Sequence, residues 1–155
     1  MGNFLKDLDS SKKGVYIAFH VAKQLIGGDP EELDKPNQIY GDFKIGGRNI
    51  EVKYDMYAKK SGNLCFEISN GKGPTGIFKT LSDHVYFVVP QEGNSFRVFD
   101  FNREKLVTWL SDEKNKMHWD EKRGGDKKKF KMRLVKISAV IALELCDHNI
   151  EVSDA

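Results

Sequence analysis

The alternation of apolar and polar residues is sharpest between residues 41 and 55, where it predicts two short strands joined at Gly46-Gly47. Paired glycines supply the positive φ angles that a tight β-hairpin turn needs. In the second strand, a period of two puts Ile50, Val52 and Tyr54 on one face, which predicts that this face points to the core. The opposite face, which is expected to point to solvent, carries Asn49, Glu51 and Lys53.

Helix and strand patterns alternate along the rest of the chain. Apolar residues at helical spacing predict a helix over residues 14–26, with Ser10 or Ser11 as its cap. A nearly unbroken apolar run over residues 84–89 predicts a strand that is buried on both faces. The other predicted elements are strands at 64–69, 96–99 and 133–137, a helix that ends at Leu110, and a segment at 138–146 that fits either helix or strand.

These elements predict an α/β fold with a mixed central β-sheet flanked by helices, in a single domain over residues 1–155. Apolar residues make up 39% of the chain and charged residues 31%, which is typical of a soluble globular protein. Cys65 and Cys146 lie far apart without a C-x-x-C motif, and the first residues do not resemble a signal peptide. No apolar run approaches the ~20 residues that span a bilayer. We therefore expect a cytoplasmic protein with no membrane partner.

The charged face of the hairpin carries candidate chemistry. Glu51 and Lys53 are predicted to point the same way on one rigid strand, and Asp42 can be brought to the same end of that face by the paired strand. Carboxylate oxygens suit Mg²⁺, which usually takes one or two protein carboxylates and keeps several waters. A nearby lysine can orient a water or neutralise charge in a phosphoryl-transfer transition state. The alternative is an ordinary solvated Glu-x-Lys pair on a half-exposed strand.

The run from Gly41-Asp42 to Ile50-Glu51-Val52-Lys53 resembles the core signature of the PD-(D/E)XK nuclease superfamily, which includes restriction endonucleases, junction resolvases and phage exonucleases. Residues 62–69, 73–77 and 82–89 are similar to small phage and prophage members of that superfamily. The resemblance implies a restriction endonuclease-like fold. It also implies a metal-dependent deoxyribonuclease that hydrolyses DNA phosphodiester bonds with Mg²⁺ or Mn²⁺, with structure-specific cutting and a homodimer as options.

The resemblance also implies roles for individual residues. Asp42 and Glu51 would hold the metal with the backbone carbonyl of Val52, and Lys53 would position the attacking water or stabilise developing charge. Glu67 is expected on a neighbouring strand beside Glu51, as a further metal ligand or as an ion-pair partner of Lys53.

The first helix departs from the superfamily pattern. Many members carry a glutamate there, whereas this chain reads Gly14-Val15-Tyr16. That ligand is either absent or supplied by Asp7, Asp9 or another carboxylate.

Two basic or glycine-rich segments are candidates for contact with DNA. Residues 122–136 contain eight basic residues and one acidic residue, a local balance of +7 that would attract a polyanion. The loop at residues 70–80 has three glycines and two lysines but lacks the spacing of an ATP-binding P-loop. Ordinary solvated loops would explain both segments as well. The candidate DNA contacts are Lys72, Thr75, Lys79, Lys127, Lys128 and Lys129.

Two other classes of function remain open. A non-catalytic nucleic-acid-binding module that keeps the nuclease fold would bind DNA in a salt-sensitive way without cutting it. A small structural or interaction protein would neither bind DNA nor take up metal.

Overall fold

The computed structural model describes residues 8–125, 127 and 129–153, which form a mixed α/β structure. The strands are β1 (Glu31–Glu32), β2 (Phe43–Ile45), β3 (Arg48–Tyr54), β4 (Asn63–Ser69), β5 (His84–Pro90), β6 (Ser95–Asn102), β7 (Trp119–Gly124), β8 (Phe130–Lys136) and β9 (His148–Ser153). The α-helices are α1 (Ser10–Leu25), α2 (Ala58–Ser61), α3 (Arg103–Ser111) and α4 (Ile137–Ala142). Short 3₁₀ helices occupy Lys35–Tyr40, Gly76–Phe78 and Glu113–His118.

The strands form two sheets. The central sheet has the order β1-β2-β3-β5-β6-β9, and it is mixed because β3 and β5 run parallel while its other neighbours run antiparallel. The second sheet has the order β4-β8-β7 and is antiparallel. The predicted mixed central sheet flanked by helices is therefore confirmed. Within the described ranges, no helix has both the length and the apolar composition that crossing a bilayer requires.

The β2–β3 hairpin forms as predicted. Gly46 and Gly47 have φ angles of 54° and 77°, and the register pairs Ile45 with Arg48 across them. Two consecutive positive φ angles are what a two-residue hairpin turn requires. The turn therefore fixes the register that places Glu51 and Lys53 on one face of β3.

Helix α1 covers one face of the central sheet. It begins four residues earlier than predicted because Asp9, rather than Ser10 or Ser11, is the cap: its carboxylate accepts a hydrogen bond from the Lys12 amide at 2.9 Å. That hydrogen bond, followed by one from the Ser11 hydroxyl, lowers the pKa of Asp9. The helix lies close to β3, since a Cβ atom at Gly14 would stand 3.1 Å from Tyr54. Its fully buried apolar side chains are Ile17, Ala18, Val21 and Ala22.

The second sheet covers the opposite face of the central sheet. Strand β4 pairs with β8 and not with β3, and Phe66 of β4 packs edge-on against Phe87 and Phe101 with ring centroids 5.0 and 5.7 Å away. The prediction that the charged face of β3 points to open solvent is therefore wrong. Glu51 and Lys53 face the layer that contains β4.

The C-terminal third differs most from the sequence prediction. Part of the predicted basic loop is a hairpin, in which Arg123 belongs to β7 and Lys131 to β8. The strand at Phe130–Lys136 is not the last one, because β9 follows and adds an outer strand to the central sheet. Residues 137–142 are helical, which resolves the choice left open by their apolar sequence. Strands β7 and β9 each have one buried side chain, Trp119 and Val152, so neither carries a clear alternation of apolar residues.

A buried polar network interrupts the apolar strand β5 at its first residue. His84 Nδ1 lies 2.8 Å from Asp100 Oδ1, and Arg48 Nη1 lies 3.2 Å from His84 Nε2. A guanidinium can only donate, so Nε2 accepts and Nδ1 carries the proton that is shared with Asp100. Asp100 is 3% exposed, which makes its hydrogen bond costly to lose.

We expect Asp100→Ala to lower the free energy of unfolding by about 2–4 kcal/mol, because it leaves the buried His84 Nδ1–H without its acceptor and frees the ring whose Nε2 accepts from Arg48. Asp100→Asn keeps an acceptor oxygen and should lose less. Urea denaturation of both variants checks this expectation. Equal stability of the wild type and Asp100→Ala would contradict it.

Candidate active site

Glu51 and Lys53 form an ion pair on β3. The Lys53 Nζ atom lies 3.6 Å from Glu51 Oε1, and the side chains are 42% and 17% exposed respectively. Parallel pairing with β5 places Glu51 beside Val85 and Lys53 beside Phe87. Lysine therefore reaches solvent, whereas the carboxylate is recessed against an apolar layer.

Thr80 provides a second contact to the recessed carboxylate. Its hydroxyl Oγ1 lies 3.4 Å from Glu51 Oε2 and 3.4 Å from the backbone oxygen of Ile39. Burial raises the pKa of Glu51, and the negative charge of Asp42 raises it further, while Lys53 and then Thr80 act in the opposite direction. Lys53 and Thr80 therefore offset only part of the cost of ionising the Glu51 carboxylate.

Asp42 lies at the edge of β3 that β2 leaves uncovered. Its backbone amide donates to the Ile50 oxygen at 2.8 Å, and its carboxylate Oδ2 accepts from the Val52 amide at 2.7 Å. The Asp42 carboxylate therefore accepts the hydrogen bond that a backbone carbonyl would accept if the β2–β3 ladder continued. Burial raises the pKa of Asp42, although the Val52 amide and the Lys53 charge partly oppose this.

The Val52 carbonyl is directed to the same edge. In a β-strand, the amide and the carbonyl of one residue point to the same side, and the Val52 amide points to Asp42. The described geometry brings Asp42 and Val52 together at this edge and pairs Lys53 with Glu51, whose pKa is raised by the charge of Asp42. The roles predicted for Asp42, Glu51, Val52 and Lys53 stay predictions.

Gly41 explains how Asp42 can approach β3. Its φ of 134° and ψ of −168° lie in a region used almost only by glycine, and a Cβ atom there would stand 2.5 Å from the Ile50 oxygen. The Gly-Asp sequence is therefore a structural requirement, because a side chain at residue 41 would push the backbone away from the strand.

Glu51 and Lys53 line two cavities. We name the first, of about 440 Å³, the Glu51 cleft; its lining includes Lys35, Ile39, Lys79 and Thr80 beside the ion pair. The second, of about 250 Å³, lies between the two sheets and shares Glu51, Lys53, Gly76 and Thr80 with the cleft. Asp42 lines a separate cavity of about 300 Å³ beside α1.

Glu67 reaches this region from the second sheet. It was expected on a strand next to β3, which is wrong because β4 pairs with β8. Glu67 nevertheless lines the inter-sheet cavity with Glu51 and Lys53. Glycine at residue 76 lets β4 lie close to the 3₁₀ turn that leads to Thr80, since a Cβ atom there would stand 2.7 Å from the Glu67 oxygen. The role of Glu67 as a metal ligand or an ion-pair partner stays a prediction.

The described residues do not include a third carboxylate close enough to complete a cluster. Within residues 8–125, 127 and 129–153, no group of three or more His, Cys, Asp or Glu side chains is placed to hold a metal ion. Asp9 is used as the cap of α1, and Asp7 lies outside the described residues. Two carboxylates remain compatible with Mg²⁺, which takes its other ligands from water and substrate. The raised pKa values of Asp42 and Glu51 fit a site that a cation would stabilise.

The predicted DNA contacts are placed unequally. Lys72, Lys79, Lys127 and Lys129 are exposed, whereas the Thr75 hydroxyl is buried and so is not presented to a phosphate. Lys128 lies outside the described residues. The two predicted segments lie side by side, since a Cβ atom at Gly71 would stand 3.6 Å from the Lys129 oxygen.

Part of the basic block is used inside the fold. The Arg133 guanidinium lies 4.5 Å from the Trp119 ring centroid, donates to the Leu110 oxygen and pairs with Glu121 at 3.5 Å. Lys131 pairs with the same Glu121 at 3.4 Å. The charge available to a partner is therefore smaller than the sequence balance of +7 indicates.

Sequence patterns gave little indication of two contributors to the cleft. Lys35 comes from a Pro-interrupted segment that carries no periodicity, and Thr80 ends a glycine-rich loop. A contact between residues 29 positions apart leaves no local signal, so the bond from Thr80 to Glu51 could be found only from the fold.

Comparisons with known protein families, curated proteins and solved structures returned no match for this chain. Its function is therefore inferred from the arrangement of Asp42, Glu51 and Lys53 and from the surfaces around them.

Gly41→Ala should lower the free energy of unfolding by at least about 3 kcal/mol, because backbone strain adds to the clash with the Ile50 oxygen. Gly47→Ala is the matched control: φ there is also positive, at 77°, but no atom lies within 4 Å of the added Cβ. That variant should lose only about 1–2 kcal/mol. Chemical denaturation compares the two, and equal losses would contradict the proposed close approach.

Glu51→Gln should stabilise the protein at pH 7, by about 0.5–2 kcal/mol, because it removes a buried charge that Asp42 repels. The folded-state pKa of Glu51 is raised, so ionisation costs stability as pH rises through it, and the penalty is absent below the unfolded-state value of about 4.3. The gain should therefore shrink toward pH 4.

Thermal melts from pH 4 to pH 7 measure this difference, with Glu151→Gln on the exposed surface of β9 as the control. A gain that is equal in both variants, or that does not change with pH, would contradict the expectation.

Proposed function

We propose that this chain is a metal-dependent deoxyribonuclease that hydrolyses DNA phosphodiester bonds. The observation that carries the proposal is the convergence of Asp42, Glu51 and Lys53 at one edge of β3. The sequence resemblance to the PD-(D/E)XK superfamily agrees with this arrangement, and the mixed sheet flanked by helices is compatible with a restriction endonuclease-like fold.

Asp42 and Glu51 would hold Mg²⁺ or Mn²⁺, with the Val52 carbonyl as a further ligand. A bound divalent ion supplies polarisation of the phosphoryl oxygen and lowers the pKa of a coordinated water. The chain's own contribution is a pair of carboxylates kept partly desolvated, each with a raised pKa. Such a pair is unfavourable alone and favourable beside a cation.

Lys53 and Thr80 would divide the remaining work. Lys53 is 42% exposed, so its ammonium can leave Glu51 to orient the attacking water or to stabilise charge on the phosphoryl group. Thr80 contacts Glu51 Oε2 and so can fix the orientation of that carboxylate when Lys53 moves. Lys53 would therefore stabilise charge, whereas Thr80 would position the Glu51 carboxylate.

DNA is the proposed partner, held through its backbone by exposed lysines. Lys79 lines the Glu51 cleft, while Lys72 and Lys129 lie on two adjoining loops. Contacts of this kind position the substrate without reading its sequence. Cys65 and Cys146 are free thiols, which is compatible with the proposed cytoplasmic location. A homodimer is the arrangement that would permit paired cuts, and light scattering of the purified protein would reveal it.

Purified protein should cleave plasmid, linear, flapped or four-way DNA in the presence of Mg²⁺ or Mn²⁺. Asp42→Asn, Glu51→Gln and Lys53→Ala should each reduce the rate by at least about 100-fold, because each removes a ligand or a charge from the reacting phosphate. Lys44→Ala, at an exposed position of the neighbouring strand, is the control and should keep nearly full activity. Gel assays of cleavage rate measure all four variants.

Cleavage that survives Glu51→Gln or Lys53→Ala would reject this assignment. Calorimetry with Mn²⁺ adds a readout that does not depend on cutting: the wild type should bind the ion and Asp42→Asn should bind it more weakly. Salt-sensitive DNA binding without metal uptake or cleavage would instead support a non-catalytic binding module.

A further inference from the structure

A polar cavity lies where β3, β5 and α3 begin. Arg48, His84 and Arg103 are the first residues of these elements, and all three line the cavity. Parallel pairing brings the starts of β3 and β5 to one edge of the sheet, and β6 returns to that edge because Asn102 pairs with His84. The cavity has a volume of about 460 Å³, and we name it the arginine pocket. Its described lining residues differ from those of the Glu51 cleft, so it is a separate site.

Both arginines are attached to the buried wall of the arginine pocket. Arg48 Nη1 donates to His84 Nε2 at 3.2 Å, and Arg103 Nε donates to the Ser82 oxygen at 2.8 Å. Ser82 and His84 are 2% and 8% exposed. Among the described residues, each guanidinium makes a single hydrogen bond, so most of its N–H donors remain for a ligand.

The Ser82 hydroxyl is a further donor in this wall. Ser82 lines the arginine pocket, and its hydroxyl has no hydrogen-bond partner within the described ranges. A buried hydroxyl that makes no hydrogen bond is unfavourable and uncommon in native proteins. A ligand that accepts a hydrogen bond from Ser82 would remove this cost.

The carboxylates of the arginine pocket lie at its outer edge. Asp83, Glu104 and Asp147 line the pocket, and all three are exposed. Asp83 accepts from the Asn49 amide at 2.8 Å, and Asp147 pairs with Lys105 at 3.8 Å. Water and salt screen exposed charges more than recessed ones. The inner wall therefore favours an anionic group, while the outer edge offers acceptors to donor groups elsewhere on the same ligand.

The donors of the inner wall match a phosphate group that is linked through one ester bond. A guanidinium presents a fork of N–H groups that fits phosphate in two parallel hydrogen bonds. A phosphate monoester carries about two negative charges at pH 7 and three terminal oxygens, so it can bind both arginines and Ser82 together. A carboxylate has two oxygens in one plane and one charge. The volume is that of a site for a small ligand, which leaves room for a sugar and a base beyond the phosphate.

We propose that the arginine pocket binds a phosphate monoester, with the phosphate oxygens on Arg48, Arg103 and Ser82. A free nucleotide and the phosphorylated end of a DNA strand share this chemistry. The site uses none of the candidate catalytic residues, so the proposal does not depend on the proposed function.

Isothermal titration calorimetry in EDTA tests the ligand chemistry with deoxyadenosine monophosphate, inorganic phosphate, deoxyadenosine and succinate. The monophosphate should bind at least about 10-fold more tightly than deoxyadenosine or succinate, and inorganic phosphate should compete with it. Failure of the monophosphate to bind at about 10 mM, or equal binding of succinate, would overturn the proposal.

Substitutions in the inner wall test where the phosphate binds. Arg48→Ala, Arg103→Ala and Ser82→Ala should each weaken binding of the monophosphate by about 5- to 50-fold. Ser82→Ala removes a hydroxyl without a described partner, so its melting temperature should equal or exceed that of the wild type. Arg103→Lys keeps the charge without the fork and should still bind more weakly than the wild type. Unchanged binding in both Ser82→Ala and Arg48→Ala would contradict the proposed site.

Control variants separate this site from other basic surfaces. Arg123→Ala removes an exposed arginine outside the arginine pocket and should leave the affinity within about twofold of the wild type. Lys79→Ala and Glu51→Gln change the Glu51 cleft and should also have little effect. Binding that is lost in Lys79→Ala but kept in Arg48→Ala would place the ligand in the Glu51 cleft and overturn the proposal.

Labelled DNA strands with and without a terminal phosphate distinguish the two sources of the ligand. Tighter binding of the phosphorylated strand, lost in Arg48→Ala, would assign the arginine pocket to DNA ends. Equal binding of both strands, with monophosphate binding intact, would assign it to free nucleotides; both results support a phosphate site. Protein that cuts no DNA but binds the monophosphate through Arg48 would overturn the proposed nuclease alone. Protein that cuts DNA but binds no monophosphate would overturn this proposal alone.

Discussion

The hydrogen bond from the Val52 amide to the Asp42 carboxylate is the interaction on which the candidate site depends. It replaces a missing rung of the β2–β3 ladder with a side chain, at 2.7 Å, and so fixes a carboxylate against the strand that carries Glu51. The bond requires the close approach that glycine permits at residue 41. The same hydrogen bond thus satisfies the Val52 amide and fixes the position of the Asp42 carboxylate.

This placement has an electrostatic consequence for the whole site. Asp42 and Glu51 each have a raised pKa because they are desolvated, and the charge of Asp42 raises that of Glu51 as well. One half-exposed lysine cannot fully offset two such groups. Burial of the two carboxylates therefore costs stability, in contrast to the two apolar cores on either side of the central sheet, where burial stabilises the fold.

The sequence was informative where structure is local and uninformative where it is not. The hairpin turn, strand β3 and strand β5 were predicted correctly. Their signals are two glycines, an apolar–polar alternation and an unbroken apolar run, and each of these reflects a constraint within a few residues. Alternation gives the face of a strand but not its partner, so β4 was expected beside β3 although it pairs with β8. Outer strands such as β9 bury so little that their pattern is weak.

The partner of β4 determines what kind of site Glu51 can form. Beside β3, β4 would have extended the central sheet and left Glu51 and Lys53 on an open face, where water screens charge and an ion pair contributes little. Paired with β8, it instead lies across that face, so that Glu51 is recessed between two layers while Lys53 still reaches solvent. The carboxylate becomes recessed, its pKa rises, and access narrows to the Glu51 cleft. The burial of the candidate carboxylate and the shape of the opening that leads to it therefore follow from one choice of strand pairing.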